Sequence, residues 1–263
     1  MRKIGLLPFT ILYWLITYTR NILFDVGILN STIIPGKSIS VGNLSVGGSG
    51  KTPMVNYLTS LLQNEHSIQI LSRGYGRKTT GYRHVNSTDD ASTVGDEPLS
   101  YFQKFAPKTD VFVCEKRQEA LVKMNELNPS ATIILDDAFQ HRYVKPGLQL
   151  LLSPFYEQFL DDWHLPSGNL RESKQGAHRA DAIILTKCPN LTEEQMMVHR
   201  KRYESYELPI FFSRIEYADF QLVGIAVKQL KSILLVTGIS SSTSLKSHLL
   251  ENYEVEELKF GDH

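Results

Sequence analysis

The residues best suited to chemistry in this chain form one octapeptide, Ser45-Val46-Gly47-Gly48-Ser49-Gly50-Lys51-Thr52. Glycines at 47, 48 and 50 let the backbone wrap tightly enough to turn its N–H groups onto an anion. Lys51 and Thr52 directly after the last glycine add a mobile positive charge and a hydroxyl. In phosphate-binding loops that pair reaches the β/γ-phosphates of a nucleotide and a Mg²⁺ ion. The strict pattern opens on glycine, whereas this chain has Ser45 there. Pro53 follows where the first turn of a helix tolerates a missing N–H. Residues 45–52 are therefore the expected nucleotide site, with Mg²⁺ beside it.

A second constellation lies downstream, where Ile133-Ile134-Leu135 runs into Asp136-Asp137. An apolar strand ending in carboxylates beside a phosphate loop can hold Mg²⁺ directly or through water. The expected metal set is Thr52, Asp136 and Asp137. Guanine-reading proteins commonly follow a later strand with N-K-x-D. The comparable Thr186-Lys187-Cys188-Pro189 has the lysine without the aspartate, which leans toward ATP.

Such residues need a scaffold, and the hydrophobic pattern supplies one. Nearly continuous apolar runs at Ser38–Val41, Ile68–Leu71, Val111–Cys114, Thr132–Leu135, Leu148–Leu152 and Ala182–Leu185 read as strands buried on both faces. From Thr52 to Gln63, Met54, Leu58, Leu61 and Leu62 fall on one helical face. Strands alternating with helices predict an α/β fold, a P-loop-type parallel sheet flanked by helices. Around Ile210–Ile215 and Phe220–Val227 the pattern turns to paired short strands, and Ser232–Gly238 gives another buried strand. The expected organisation is an N-terminal helix over residues 1–27, a core over 28–209 and a smaller α/β unit over 210–263.

Ile4 to Thr19 carries no charge, and Arg2, Lys3 and Arg20 flank it. Sixteen helical residues rise only about 24 Å, short of the ~30 Å hydrocarbon core. No small-residue cleavage site follows. Tyr13, Trp14 and Tyr18 suit a membrane interface. The run is expected to lie in or dip into a membrane surface. Lys+Arg and Asp+Glu are 28 each over 263 residues, so bulk charge argues against a nucleic-acid partner. Cys114 and Cys188 belong to no metal-ligand spacing and are expected to be buried free thiols.

Several segments together resemble the tetraacyldisaccharide 4'-kinase (lipid A kinase) family. They are Gly42-Asn43-Leu44 through Pro53, Ser72-Arg73-Gly74-Tyr75-Gly76-Arg77, Val94-Gly95-Asp96-Glu97-Pro98, Asp136 through His141, and Leu165 through Glu172. They occur in the family's order, and Phe260-Gly261-Asp262-His263 extends the match to the last residue. The resemblance implies transfer of the ATP γ-phosphate to the 4'-hydroxyl of lipid A disaccharide 1-phosphate, at the cytoplasmic face of the bacterial inner membrane. No obligate protein partner is implied. Asp96 becomes the expected base, His263 its orienting partner and Lys51 the electrostatic clamp. Glu97, Gln140, His141 and Arg171 match positions near the family's active site. Arg117 follows a strand end, where α/β proteins bind ligands. Arg73 and Arg77 are candidates for the substrate 1-phosphate or anionic lipid heads, and Arg171–Glu172 could instead be a structural ion pair. Family members continue beyond the F-x-D-H segment, so the C-terminal unit is expected to be incomplete. The alternatives are a regulatory P-loop switch and an inactive shortened homologue.

Overall fold

The computed structural model describes residues 4–34, 36–218, 231–239 and 242–260. In chain order the first half contains α1 (Leu7–Asp25), β1 (Thr32–Ile33), β2 (Ser38–Asn43), α2 (Lys51–Leu62), β3 (Ile68–Ser72), β4 (Arg83–His84), α3 (Ala91–Val94), α4 (Asp96–Phe105) and β5 (Thr109–Val113). Then follow α5 (Arg117–Leu127), β6 (Thr132–Asp136), β7 (Val144–Lys145), β8 (Leu148–Pro154), β9 (Ala182–Thr186), α6 (Glu193–Arg202) and β10 (Ile210–Phe212). The remaining elements are β11 (Ser232–Thr237), α7 (Thr243–Leu250) and β12 (Glu254–Lys259).

Eight strands form one sheet in the order β10-β9-β8-β2-β6-β3-β5-β4, parallel except for the antiparallel edge strand β4. Every residue of β3, β6 and β9 is buried. The continuous apolar runs hide a two-residue alternation that the packing reveals. Ile70, Val111 and Ile134 pack on one face with Val55 of α2 and Tyr101 and Phe105 of α4. Leu71, Phe112, Ile133 and Leu135 pack on the other with Leu121 and Met124 of α5. Both faces are therefore dry, as a parallel sheet requires. On α2 the buried residues are Val55 and Thr59, with Met54, Leu58 and Leu62 beside the core. Leu61, expected on that face, is exposed.

The chain crosses from β2 over β6 to β3, and later returns to the other side of β2 through β8. β2 is thus the switch point of the sheet, where a crevice opens at the strand ends. The parallel register sets Val41 against Asp136, so the Asp136-Asp137 pair emerges beside the loop that follows Asn43. Gly42 permits the contact: a Cβ there would meet Phe139 Cβ at 2.6 Å and Phe139 N at 3.0 Å.

Residues Met1–Arg214 and Ile215–His263 make two compact units. This boundary falls a few residues beyond the expected 209/210 division, because Ile210–Phe212 extends the main sheet in parallel with Ile183–Leu185. The N-terminal helix is not a separate body, since α1 belongs to the first unit. Phe220–Val227, expected as a strand, lies outside the described residues. In the second unit β11 and β12 pair in parallel, with α7 between them in sequence. Cys114 and Cys188 are buried and free.

Candidate active site

The glycine loop runs from Leu44 to the first turn of α2, with Gly47 at φ 110 and Gly50 at φ 88. Both are left-handed values that side chains resist. Three of its carbonyls are pinned from outside. Ser45 O accepts from Asn43 Nδ2 at 2.6 Å, Gly48 O from Lys187 Nζ at 2.6 Å and Ser49 O from Thr186 Oγ1 at 2.8 Å. Carbonyl and amide of one planar peptide point opposite ways. Holding Ser49 O on Thr186 therefore turns the Gly50 N–H away from Thr186. Lys187, at φ 56, is one of few non-glycine residues in the left-handed region. Thr186 and Lys187 end β9 at the segment compared with N-K-x-D, so that segment serves here as the outer clamp of the loop.

Lys51 Nζ lies 3.9 Å from Asp137 Oδ1 and 3.4 Å from Asn43 Oδ1. Arg171 donates to Asp137 Oδ1 at 2.9 Å and to Oδ2 at 3.2 Å. Burial alone would raise the Asp137 pKa, but the Arg171 and Lys51 charges outweigh it and hold the carboxylate below its usual range. Asp136, one residue away, has the opposite fate. Its side chain is fully buried, and that burial, with the charges of Glu97 and Asp137, pushes its pKa up to about 7. Ser72 Oγ donates to its Oδ2 at 3.2 Å, while among the described residues no partner reaches Oδ1. The Tyr101 phenol, pushed well up first by burial and then by Asp136 and Glu97, stays protonated.

Thr52 Oγ1 donates to Glu97 Oε1 at 2.7 Å, which brings Glu97 to the end of the phosphate loop. Asp96 precedes it at the exposed start of α4. The turn into α4 needs Gly95 at φ 94, where a Cβ would meet Tyr75 O at 2.9 Å. The two glycine-bearing segments around residues 74 and 95 thus pack backbone to backbone.

The other expected residues separate into groups. Arg117 is buried and donates from Nη2 to Asp136 O at 3.2 Å. Burial draws its pKa down while Asp136 and Asp137 oppose the shift. Gln140 Nε2 donates to Asn43 O at 2.8 Å and to Glu172 Oε1 at 3.0 Å. His141 is held neutral, its pKa lowered to about 4 by burial and then by Arg117, Arg20 and Arg73. Arg73 is exposed. Arg77 is engaged within the protein: its side chain is 2% exposed and bonds Glu115, with a further bond of 2.7 Å to Gly81 O. Arg171 and Glu172 do not pair with each other. Glu172 takes Arg179 on both oxygens at 2.8 Å and Asn21 at 2.8 Å. His263 lies outside the described residues.

The segment 163–172 carries Arg171 and borders the loop on one side. Val46 N donates to Asn169 O at 2.8 Å and Arg171 N to Leu44 O at 2.8 Å. Its other side holds α1: Thr10 Oγ1 donates to Ser167 Oγ at 2.7 Å and Tyr13 Oη to Arg171 O at 2.9 Å. With Arg20, Asn21 and Phe24 also turned inward, the polar side of α1 faces protein. Phe9, Ile11, Leu12, Leu15, Ile16 and Ile22 face out, with Ile16 60% exposed. Among the described residues no helix is long and apolar enough to cross a membrane.

Sequence reasoning missed Asn43, Thr186, Lys187, Arg20 and Ser72 as parts of the site. A signal existed for Asn43, next to the loop, and for Lys187, the survivor of the N-K-x-D comparison. Ser72 opens the Ser72–Arg77 segment, whereas Arg20 carries no local signal, because only the fold brings it in.

A glycine loop at the switch point of a parallel sheet, with Lys-Thr at its end and carboxylates on the adjacent strand, defines a P-loop α/β protein that handles a nucleotide. A model of the family Tetraacyldisaccharide-1-P 4'-kinase (LpxK) matches residues 2–263. The tetraacyldisaccharide 4'-kinase of Flavobacterium johnsoniae is 44% identical over 272 residues, covering 100% of this chain and 79% of the relative. That of Flavobacterium psychrophilum is 42% identical over 268 residues, covering 98% and 78%. The crystal structure of LpxK from Aquifex aeolicus in complex with ATP superposes with a TM-score of 0.79 at 34% identity, covering 98% of this chain and 82% of that one. The chain belongs to the tetraacyldisaccharide 4'-kinase family. It is an ATP-dependent kinase of lipid A biosynthesis.

Proposed function

We propose that the kinase works at the cytoplasmic face of the inner membrane, with Asp96 taking the proton of the substrate 4'-hydroxyl. The freed oxygen attacks the γ-phosphorus, the bond to the β-phosphate oxygen breaks, and ADP leaves. A sugar hydroxyl is a weak nucleophile and needs a positioned base. Asp96 is exposed and adjacent to Glu97, whose carboxylate already touches Thr52. The amides of residues 45–52 cradle the triphosphate of ATP, and Lys51 and Arg171 stabilise charge on the transferring group.

The donor set suits Mg²⁺. Thr52, Glu97, Asp136 and Asp137 offer hard oxygen, and Asp136 Oδ1 is a buried acceptor without a partner. Mg²⁺ commonly takes part of its coordination from nucleotide phosphates. Bound there, Mg²⁺ supplies neutralisation of the triphosphate charge. Arg73, Arg117, Gln140 and His141 form the substrate side.

The observation that carries this reading is the double attachment of segment 163–172. One edge borders the phosphate loop and the other binds α1, whose hydrocarbon face is turned outward. A helix with that surface rests in a lipid interface, and the substrate is itself a lipid. The test is Asp96→Asn with Mg-ATP and tetraacyldisaccharide 1-phosphate. We expect kcat to fall by about 10²–10⁴ with ATP affinity unchanged; undiminished kcat removes Asp96 as base.

A further inference from the structure

Asn43 is the last residue of β2 and is buried. Its Nδ2 donates to Ser45 O at 2.6 Å, while its Oδ1 accepts from Lys51 Nζ at 3.4 Å and, in a very short contact, from Arg171 Nη2. The orientation of the amide is thus fixed: a carbonyl stands on one side and cations on the other. Its own backbone oxygen accepts from Gln140 Nε2 at 2.8 Å and Arg171 Nη2 at 3.3 Å. Lys51 and Arg171 both also reach Asp137, at 3.9 Å and 2.9 Å. The two cations therefore share one carboxylate and one neutral amide oxygen, so Asp137 alone, of the groups they both touch, offsets their charge.

We infer that Asn43 is a positioning residue for phosphoryl transfer. It holds the Lys51 ammonium and the Arg171 guanidinium in place without neutralising them. A carboxylate in its position would pair the second cation and spend the surplus charge that a triphosphate is meant to meet. A methyl group there would release Lys51 to close on Asp137. The neutral amide avoids both outcomes: an uncharged acceptor orients a cation while leaving its field available to the ligand. The same side chain fixes the first turn of the loop through Ser45 O, so the loop and the cations move as one unit. This inference rests on Lys51 gripping the nucleotide phosphates.

The test compares Asn43→Asp, Asn43→Ala and Lys51→Ala in the full chain, by thermal melting, by affinity for ATP and for ADP, and by kcat and KM. For Asn43→Asp we expect kcat to fall about 100-fold and ATP binding to weaken about tenfold more than ADP binding, because the lost charge faced the extra phosphate. For Asn43→Ala we expect kcat to fall about tenfold, with a smaller loss of preference for ATP over ADP. A structural role alone would weaken ATP and ADP equally and in step with the melting temperature, and that result overturns the inference. So does kcat within twofold of wild type in either folded variant while Lys51→Ala is inactive. If Lys51→Ala itself retains full activity, the underlying reading of the loop fails instead.

Discussion

At the ends of β2 and β6 this chain buries charge; along α1 it exposes hydrocarbon. Each region runs against the usual partition of side chains between interior and water. In the first, Asp136 is shut away with a free acceptor atom, and Glu97 and Asp137 stand near enough to raise its pKa. In the second, the inward side of the helix carries Thr10, Tyr13, Arg20 and Asn21, and the outward side carries Ile11, Leu12, Leu15 and Ile16. Neither arrangement is a favourable end state for the protein alone. On the proposed function, the difference lies in what would complete them: a cation and a polyphosphate in one case, a lipid surface in the other.

The most severe way to break the polar region is Lys51→Ala. Its charge is the one that a phosphate would share with Arg171, and we expect kcat to fall by at least about 10²–10³, measured by label transfer to the lipid. Normal turnover would detach the loop from catalysis.

Asp136→Asn sharpens the same region, because activity and stability should move in opposite directions. The folded pKa of about 7 exceeds the ordinary 3.8. The folded protein therefore binds more protons than the unfolded chain between those values. Stability is fullest at low pH within this window and declines as pH rises through about 7. His141, lowered to about 4, adds stability as pH rises and acts on wild type and variant alike, so the comparison is between the two proteins. The wild-type melting temperature minus that of Asp136→Asn, both without Mg²⁺, should fall between pH 5 and pH 8, and added Mg²⁺ should raise the wild type most at pH 8. The variant should lose about 100-fold in kcat. A difference that does not change with pH would refute the buried-carboxylate account.

The apolar region breaks differently. Leu12→Glu with Leu15→Glu alters exposed positions, so the melting temperature should barely change. Each buried leucine is worth about 1.5–3 kcal/mol at an apolar surface. Partitioning to anionic lipid vesicles should therefore fall about tenfold or more in a sedimentation assay. Unchanged sedimentation would mean that α1 does not hold the membrane.

These two regions were also unequally legible in the sequence. The loop residues 45–52 and the Asp136-Asp137 strand end announce themselves because their chemistry depends on local spacing. The apolar run of α1 was equally plain, but its direction was not. Only the bonds to Ser167, Arg171 and Glu172 determine which side faces protein. Strand positions follow from apolar continuity, but the pairing of β10 with β9 does not, because edge pairing is a long-range choice that three residues cannot encode. The contact of Glu97 with Thr52 was not legible, because a motif orders residues along the chain and does not say which neighbour the fold will bring. The two arginines of Ser72–Arg77 show the limit most clearly. They are four residues apart and flank the same glycines, and no local rule separates them.

The structure separates them, and this gives the smallest and most discriminating prediction. Arg77 is closed off with Glu115 beneath the loop, and a Cβ at Gly74 would strike its Cδ at 2.7 Å. Arg73 is exposed, and its charge is felt by His141 and Arg117. Arg77→Gln should therefore cost about 1–2 kcal/mol of stability, since Glu115 is partly solvated and its loss of partner is cushioned. The KM for lipid should stay unchanged. Arg73→Gln should leave the melting temperature alone and raise the KM for tetraacyldisaccharide 1-phosphate about tenfold, the loss of one charge-assisted contact with a phosphate. A binding defect in Arg77→Gln with normal melting would return that arginine to the substrate side. It would also mean that the loop opens in the working enzyme.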